Sequence, residues 1–178
     1  MREVADTVKI RRFMNALAHT TTTPVQVYFT GGATAVLIGW RTSTIDVDIH
    51  LIPDDDRVLR GIPRLKDDLQ INVELACPAH FIPELAGWQD RSAFIDKEGT
   101  LSFFHYDFYA QALAKIERGH SLDLADVDAM FQRGFIQAEP LMKHFEAIEG
   151  QIYRYPALDA RAFRLAVENA ISALTKTK

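Results

Sequence analysis

Between Ile45 and Leu51 the chain alternates without a break: Ile45, Val47 and Ile49 are apolar, while Asp46, Asp48 and His50 are polar. Successive side chains of a β-strand point to opposite faces, so this stretch predicts a strand that buries one face and lines up two carboxylates on the other. The strand rise would put the two aspartate Cα atoms roughly 6.5 to 7 Å apart, within reach of one ion or of two bridged ions. Crowded like charges are unfavourable unless a proton or a cation relieves them, so an acidic pair on an apolar strand asks for a hard divalent ion. Mg2+, or Mn2+ in its place, suits it, because Mg2+ takes one or two carboxylates and completes its shell with water and phosphate oxygens.

Upstream, Val25–Thr30 reads as a strand, Gly31-Gly32 as a turn and Ala33–Ile38 as a short buried helix. A turn without Cβ atoms lets backbone N–H groups approach an anion at a helix N-terminus, which places a phosphate near Gly31, Gly32 and Ala33. Thr34 lies one turn into that helix, and Arg41 and Thr44 approach the acids, so hydroxyl and guanidinium donors are at hand for the outer phosphates. Downstream, Ile71–Ala76 repeats the strand pattern with Glu74 on its polar face, a candidate third carboxylate. Glycine pairs and Asp-x-Asp strands are each common. The order strand, Gly-Gly, helix, acidic strand is far more restrictive.

The remainder predicts an α+β chain. An amphipathic helix runs from residue 4 to about 18, with Val4, Val8, Ile10, Phe13, Met14 and Leu17 at near-helical spacing, and Thr20–Thr23 with Pro24 ends it. Residues 54–69 look helical but divided at Gly61 and Pro63. Ser92–Ile95 and Leu101–Tyr106 flank Lys97-Glu98-Gly99 as a hairpin. Helices are then expected at 107–118, 124–132, 140–148 and 159–174, with Asp107 capping the first. The expected organisation is a mixed β-sheet flanked by helices over residues 1–106, followed by a helical region over 107–178 packed on that core.

Composition removes several other classes. With 178 residues, 48% hydrophobic and 25% charged, the chain has the make-up of one ordinary globular protein. It contains no apolar run of membrane-spanning length, and acids near the N-terminus stand where a signal peptide would be apolar, which predicts a cytoplasmic location. The one cysteine, Cys77, excludes an internal disulfide and reads as packing. His80, His105, His120 and His144 lack zinc-site spacing, and His50 reads either as a neighbour of the acids or as a hydrogen-bonded strand-end residue. Trp40 and Trp88 read as core or rim packing, or as walls of a base pocket. A net charge of -4 disfavours nonspecific binding of a long polyanion, and Arg57, Arg60, Arg64 and Lys66 read as a solvated helix face. The fingerprints of dinucleotide-binding folds, P-loops and serine hydrolases are absent.

Phe29-Thr-Gly-Gly-Ala-Thr-Ala35 and Arg41-Thr-Ser-Thr-Ile-Asp-Val-Asp48 resemble the nucleotidyltransferase superfamily that shares the fold of DNA polymerase β. Ala112-Leu-Ala-Lys-Ile-Glu-Arg-Gly119 and Leu122-Asp-Leu-Ala-Asp-Val127 are similar to later motifs of small bacterial members related to abortive-infection and toxin–antitoxin enzymes. The resemblance implies Mg2+ or Mn2+ on Asp46 and Asp48, with Glu74 as the possible third carboxylate, and an NTP with phosphates at Gly31 and Gly32. It also implies that Lys115 contacts phosphate, supported by Asp126 or Asp123. Lys115 and Arg118 read equally well as the basic face near a helix C-terminus. The implied reaction is nucleotidyl transfer to an RNA, protein or small-molecule acceptor, with a partner such as an antitoxin. Two alternatives keep the same residues: a noncatalytic nucleotide-binding or regulatory module, and a phosphohydrolase that uses water as acceptor.

Overall fold

The computed structural model describes residues 3–176. The elements, in chain order, are α1 (Thr7–Ala18), β1 (Val25–Thr30), α2 (Gly31–Ile38), β2 (Asp46–Ile52), α3 (Asp56–Leu69), β3 (Asn72–Leu75), α4 (Trp88–Arg91), β4 (Ala93–Glu98), β5 (Leu101–His105), α5 (Phe108–Arg118), α6 (Ser121–Gln132), α7 (Ala138–Glu149) and α8 (Ala160–Lys176). The chain divides into two compact units, Met1–Cys77 with Ser92–Tyr106, and Pro78–Arg91 with Asp107–Lys178. No helix among the described residues is long and apolar enough to cross a membrane.

The first unit is built on a five-stranded mixed sheet in the order β3-β2-β1-β5-β4. β1 runs antiparallel to β2 and parallel to β5, β2 runs parallel to β3, and β4 runs antiparallel to β5. Alternation sorts the two faces. Val25, Val27 and Phe29 of β1, Val47, Ile49 and Leu51 of β2, and Leu101 and Phe103 of β5 join one buried core with Ile10, Phe13, Met14 and Leu17 of α1, Ala33 and Val36 of α2, and Val58 and Ile62 of α3. Asp46, Asp48 and His50 take the opposite face, as the period of two requires.

The structure corrects several boundaries. Ile45 precedes β2 and is 72% exposed, so it does not share the buried face of Val47 and Ile49. Val4 and Val8 are exposed too, and α1 starts at Thr7 because Asp6 accepts the Lys9 backbone N–H as its cap. Gly61 and Pro63 do not divide the helix at 54–69. α3 is continuous across both, since burying Val58 and Ile62 against the sheet outweighs the lost backbone hydrogen bond, and Thr20 packs where a Gly61 side chain would stand. β4 extends to Glu98, so the hairpin turns at Gly99-Thr100 rather than at 97–99.

In the second unit the four expected helices are present as α5 to α8. Asp107 caps α5 by accepting the Tyr109 backbone N–H, as expected. The unit buries Leu113, Met130, Leu141, Phe145, Phe163 and Val167, and the Phe145 and Phe163 rings meet edge-on at 5.0 Å. Residues 78–91 fall here rather than with the sheet-bearing core. Arg91 donates through Nε and Nη2 to Oδ2 of Asp107, at 3.0 and 2.7 Å, and through Nη1 to the Ala86 carbonyl, while the Tyr155 hydroxyl donates to Ala79 O.

Candidate active site

Asp46 and Asp48 stand on the sheet face opposite the core, both partly exposed. The parallel register sets Asp46 beside Asn72 and Asp48 beside Glu74, while the antiparallel pairing with β1 sets Thr30 beside Asp48. Asn72 Nδ2 donates to Asp46 Oδ1 at 2.7 Å and to Glu74 Oε1 at 3.1 Å. Both acceptors are carboxylates, so the amide must present its NH2 end to them. Among the described residues, the Asp46 carboxylate meets this neutral amide and no cation. Nothing in the sequence reading singled out Asn72; the available signal was its place two residues before Glu74 on the same strand face.

The glycine pair abuts this strand directly. Gly31 has φ +61, and a Cβ there would lie 2.9 Å from Oδ2 of Asp48. A Cβ on Gly32 would lie 2.0 Å from Oγ1 of Thr44. Only residues without side chains allow the turn to close on both Thr44 and Asp48. Thr44 is itself pinned: its backbone exchanges hydrogen bonds with Ala5, at 2.9 and 2.7 Å, and its hydroxyl donates to the Asp46 carbonyl at 3.0 Å. It therefore shapes the start of β2.

Thr34 and Ala33 are fully buried, on the core side of α2. The Thr34 hydroxyl donates to the Phe29 carbonyl at 3.1 Å, and His105 Nδ1 lies 3.2 Å from the same oxygen. With its hydrogen committed to a carbonyl, the hydroxyl accepts from His105, which fixes the proton on Nδ1. Burial pushes the His105 pKa down to about 4, with the Arg11 charge adding to the effect, so the ring is neutral. The Thr34 hydroxyl, offered by the sequence as a phosphate donor, lies between the Phe29 carbonyl and His105, where it braces the turn from behind. Arg41 is partly exposed in the α2–β2 connection, where its backbone N–H, with those of Gly39 and Trp40, converges on the Ala35 carbonyl.

His50 joins an aromatic group on the acidic face. Its ring lies 6.5 Å from Tyr28 and 6.4 Å from Tyr106, and Tyr28 stacks at 5.2 Å on Phe104. Burial raises the Tyr28 phenol above its usual range, and its hydroxyl donates to Gln26.

In the second unit Lys115, Asp123 and Asp126 form one buried ionic group, which Arg118 joins from a largely exposed position. Lys115 Nζ is 2.6 Å from Asp126 Oδ2 and 3.4 Å from Asp123 Oδ1, and all three residues are 5% exposed or less. Arg118 grips Asp123 with two donors, Nε and Nη2. Burial opposes the charge on Asp123, but the Arg118 hydrogen bond and the Lys115 charge outweigh it and hold the carboxyl below its usual range. Lys115 thus pairs with both acids that the sequence offered as its support.

Residues 6–174 match the family described as nucleotidyltransferase of unknown function (DUF6036). The chain belongs to this family. No curated protein and no solved structure matches it. The matched span takes in the glycine pair, the acids of β2 and β3, and the Lys115 group. The carboxylates of Asp46, which accepts from a neutral amide, and of Asp48, two positions further along the same face, fit a Mg2+-type ion that draws few ligands from protein. They do not suit a structural zinc site, which takes nitrogen and sulfur. Among the described residues no group of three or more His, Cys, Asp or Glu side chains is gathered to hold a metal ion.

Proposed function

We propose that this protein transfers a nucleoside monophosphate from a metal-bound NTP to an acceptor hydroxyl. The observation that carries the reading is the contact of the Gly31 backbone with the Asp48 carboxylate, where an added Cβ would stand 2.9 Å from Oδ2. An anion-cradling turn and a cation-holding pair thereby share one wall, which is what a triphosphate with its counter-ion needs. Asp46 and Asp48 would hold the ion, Mg2+ or Mn2+. Bound there, it supplies Lewis-acid polarisation of a phosphoryl oxygen and offsets charge on the phosphates.

The residues of the chain do the positioning. Gly31, Gly32 and Ala33 would offer backbone N–H groups to phosphate, Thr44 and Thr34 hold that turn against β2 and β1, and Arg41 would offset the charge of the leaving group. The acceptor oxygen bonds to the α-phosphorus, the bond from that phosphorus to the bridging oxygen breaks, and pyrophosphate leaves with the electron pair. The acceptor proton passes to a carboxylate of the acidic face or to solvent. In this reading Lys115 and Asp126 act as an ion pair that holds α5 to α6. A net charge of -4 favours a compact acceptor, while the likeness to abortive-infection and toxin–antitoxin enzymes extends the reading to an RNA or protein acceptor and an antitoxin-like partner in the cytoplasm. A second reading, a nucleotide-binding module without turnover, draws on the Asn72 amide that engages Glu74 in place of a third metal-directed carboxylate.

The test is incubation with each labelled NTP, Mg2+ or Mn2+, and cell extract. Label should move to an acceptor with matching release of pyrophosphate, and Asp46→Asn should abolish both. Release of orthophosphate alone would mark a phosphohydrolase, and NTP binding without any turnover would mark the binding module.

A further inference from the structure

The acidic face carries the carboxylates of Asp46, Asp48 and Glu74, and the neutral amide of Asn72 donates to two of them. Its place follows from topology. β3 is the edge strand, parallel to β2, and the register puts Asn72 beside Asp46 and Glu74 beside Asp48. Residues two apart on a strand share a face, so all four side chains project from the same side of the sheet. Asn72 Nδ2 lies 2.7 Å from Asp46 Oδ1 and 3.1 Å from Glu74 Oε1. An amide NH2 has two hydrogens, which is one for each acid.

We infer that Asn72 is a positioning residue that sets the cation site at two carboxylates by tethering Glu74 and fixing the rotamer of Asp46; this rests on the reading of Asp46 and Asp48 as cation-holding residues. Three acids on adjoining strands would otherwise repel one another in the absence of an ion and converge on any ion that enters. With the amide between them, Asp46 gives one oxygen to Asn72 and keeps Oδ2 unshared with it, and Glu74 is occupied at Oε1. The choice of ion follows from the ligand count. Mg2+ accepts a site with one or two carboxylates and keeps its waters, whereas Ca2+ gains from six to eight oxygens in flexible array. An amide at position 72 therefore favours Mg2+ and leaves its outer positions to phosphate. An aspartate there would turn the face into a calcium-type site.

The test is calorimetric titration of the whole protein with Mn2+, Mg2+ and Ca2+, with circular dichroism to check the fold of every variant. Glu74→Gln should leave Mn2+ affinity within about twofold, and Asn72→Asp should tighten Ca2+ by about tenfold or more while changing Mg2+ much less. The Ca2+ gain should shrink in the Asn72→Asp, Glu74→Gln double variant. Should Asn72→Asp fail to fold, Asn72→Ala releases Glu74 and should raise the Ca2+ to Mg2+ affinity ratio in the same direction. Loss of Mn2+ binding in Glu74→Gln equal to that in Asp46→Asn, or an unchanged ratio in the Asn72 variants, would overturn the inference and leave the site reading intact. If the unmodified protein binds no Mn2+ at all, the site reading fails and the role of Asn72 fails with it.

Discussion

Two groups of acids in this molecule look alike in sequence and differ in what surrounds them. On α6, Asp123 and Asp126 are buried and meet Lys115 and Arg118, so the chain neutralises its own charge. On β2, Asp46 is partly exposed and meets the uncharged amide of Asn72. Buried carboxylates that already have their cations hold helices together; a partly exposed carboxylate held by a neutral amide, as Asp46 is, keeps a charge that no cation of the chain offsets. The same residue type thus serves stability in one unit and, in our reading, binding in the other.

The comparison breaks most visibly at Lys115. Removing one member of a buried ionic group typically costs about 3–5 kcal/mol, so Lys115→Ala should lower unfolding free energy by that much in urea titrations. A loss below about 1 kcal/mol, the range of exposed pairs, would mean that the group is not structural. Next in size is Gly32→Ala, whose Cβ would collide with Thr44 Oγ1 at 2.0 Å. The overpacking should cost about 1–3 kcal/mol and, by parting the turn from β2, weaken NTP binding as well.

His105 gives a smaller effect with a definite sign. Its folded pKa of about 4 lies below the ordinary 6.5, so between those values the unfolded chain binds the extra proton. Stability is therefore full above the upper value and declines as pH falls toward the lower one. Urea midpoints measured across this window should fall less in His105→Gln than in the unmodified protein. An equal fall in both would place the sensitivity elsewhere. The smallest change belongs to Asp46→Asn, which keeps an acceptor for Asn72 and should shift stability by no more than about 0.5 kcal/mol.

Much of the sheet was legible because a period of two is written residue by residue. The faces of β2, the glycine turn and the capping role of Asp107 all follow from local chemistry. Asn72 was not legible, since its meaning depends on a parallel pairing that α3 delivers across 26 residues of chain. The partners of Thr34 were not legible for a similar reason: they are the Phe29 carbonyl and a histidine 71 residues away. Pro63 misled because a helix breaker is a local signal and the packing of Val58 and Ile62 is not. Residues 78–91 were placed with the core because nothing local announces that Arg91 reaches Asp107.

The family match covers nearly the whole chain, and the open question narrows to what Asp46 and Asp48 do. Calorimetric titration of Mg2+ with each NTP into the unmodified protein and into Asp46→Asn, at matched stability, tests it most directly. Binding by the unmodified protein should depend on the metal and fall at least about tenfold in the variant, as loss of an ion ligand requires. Equal affinity in the two proteins would contradict a cation-holding role for Asp46.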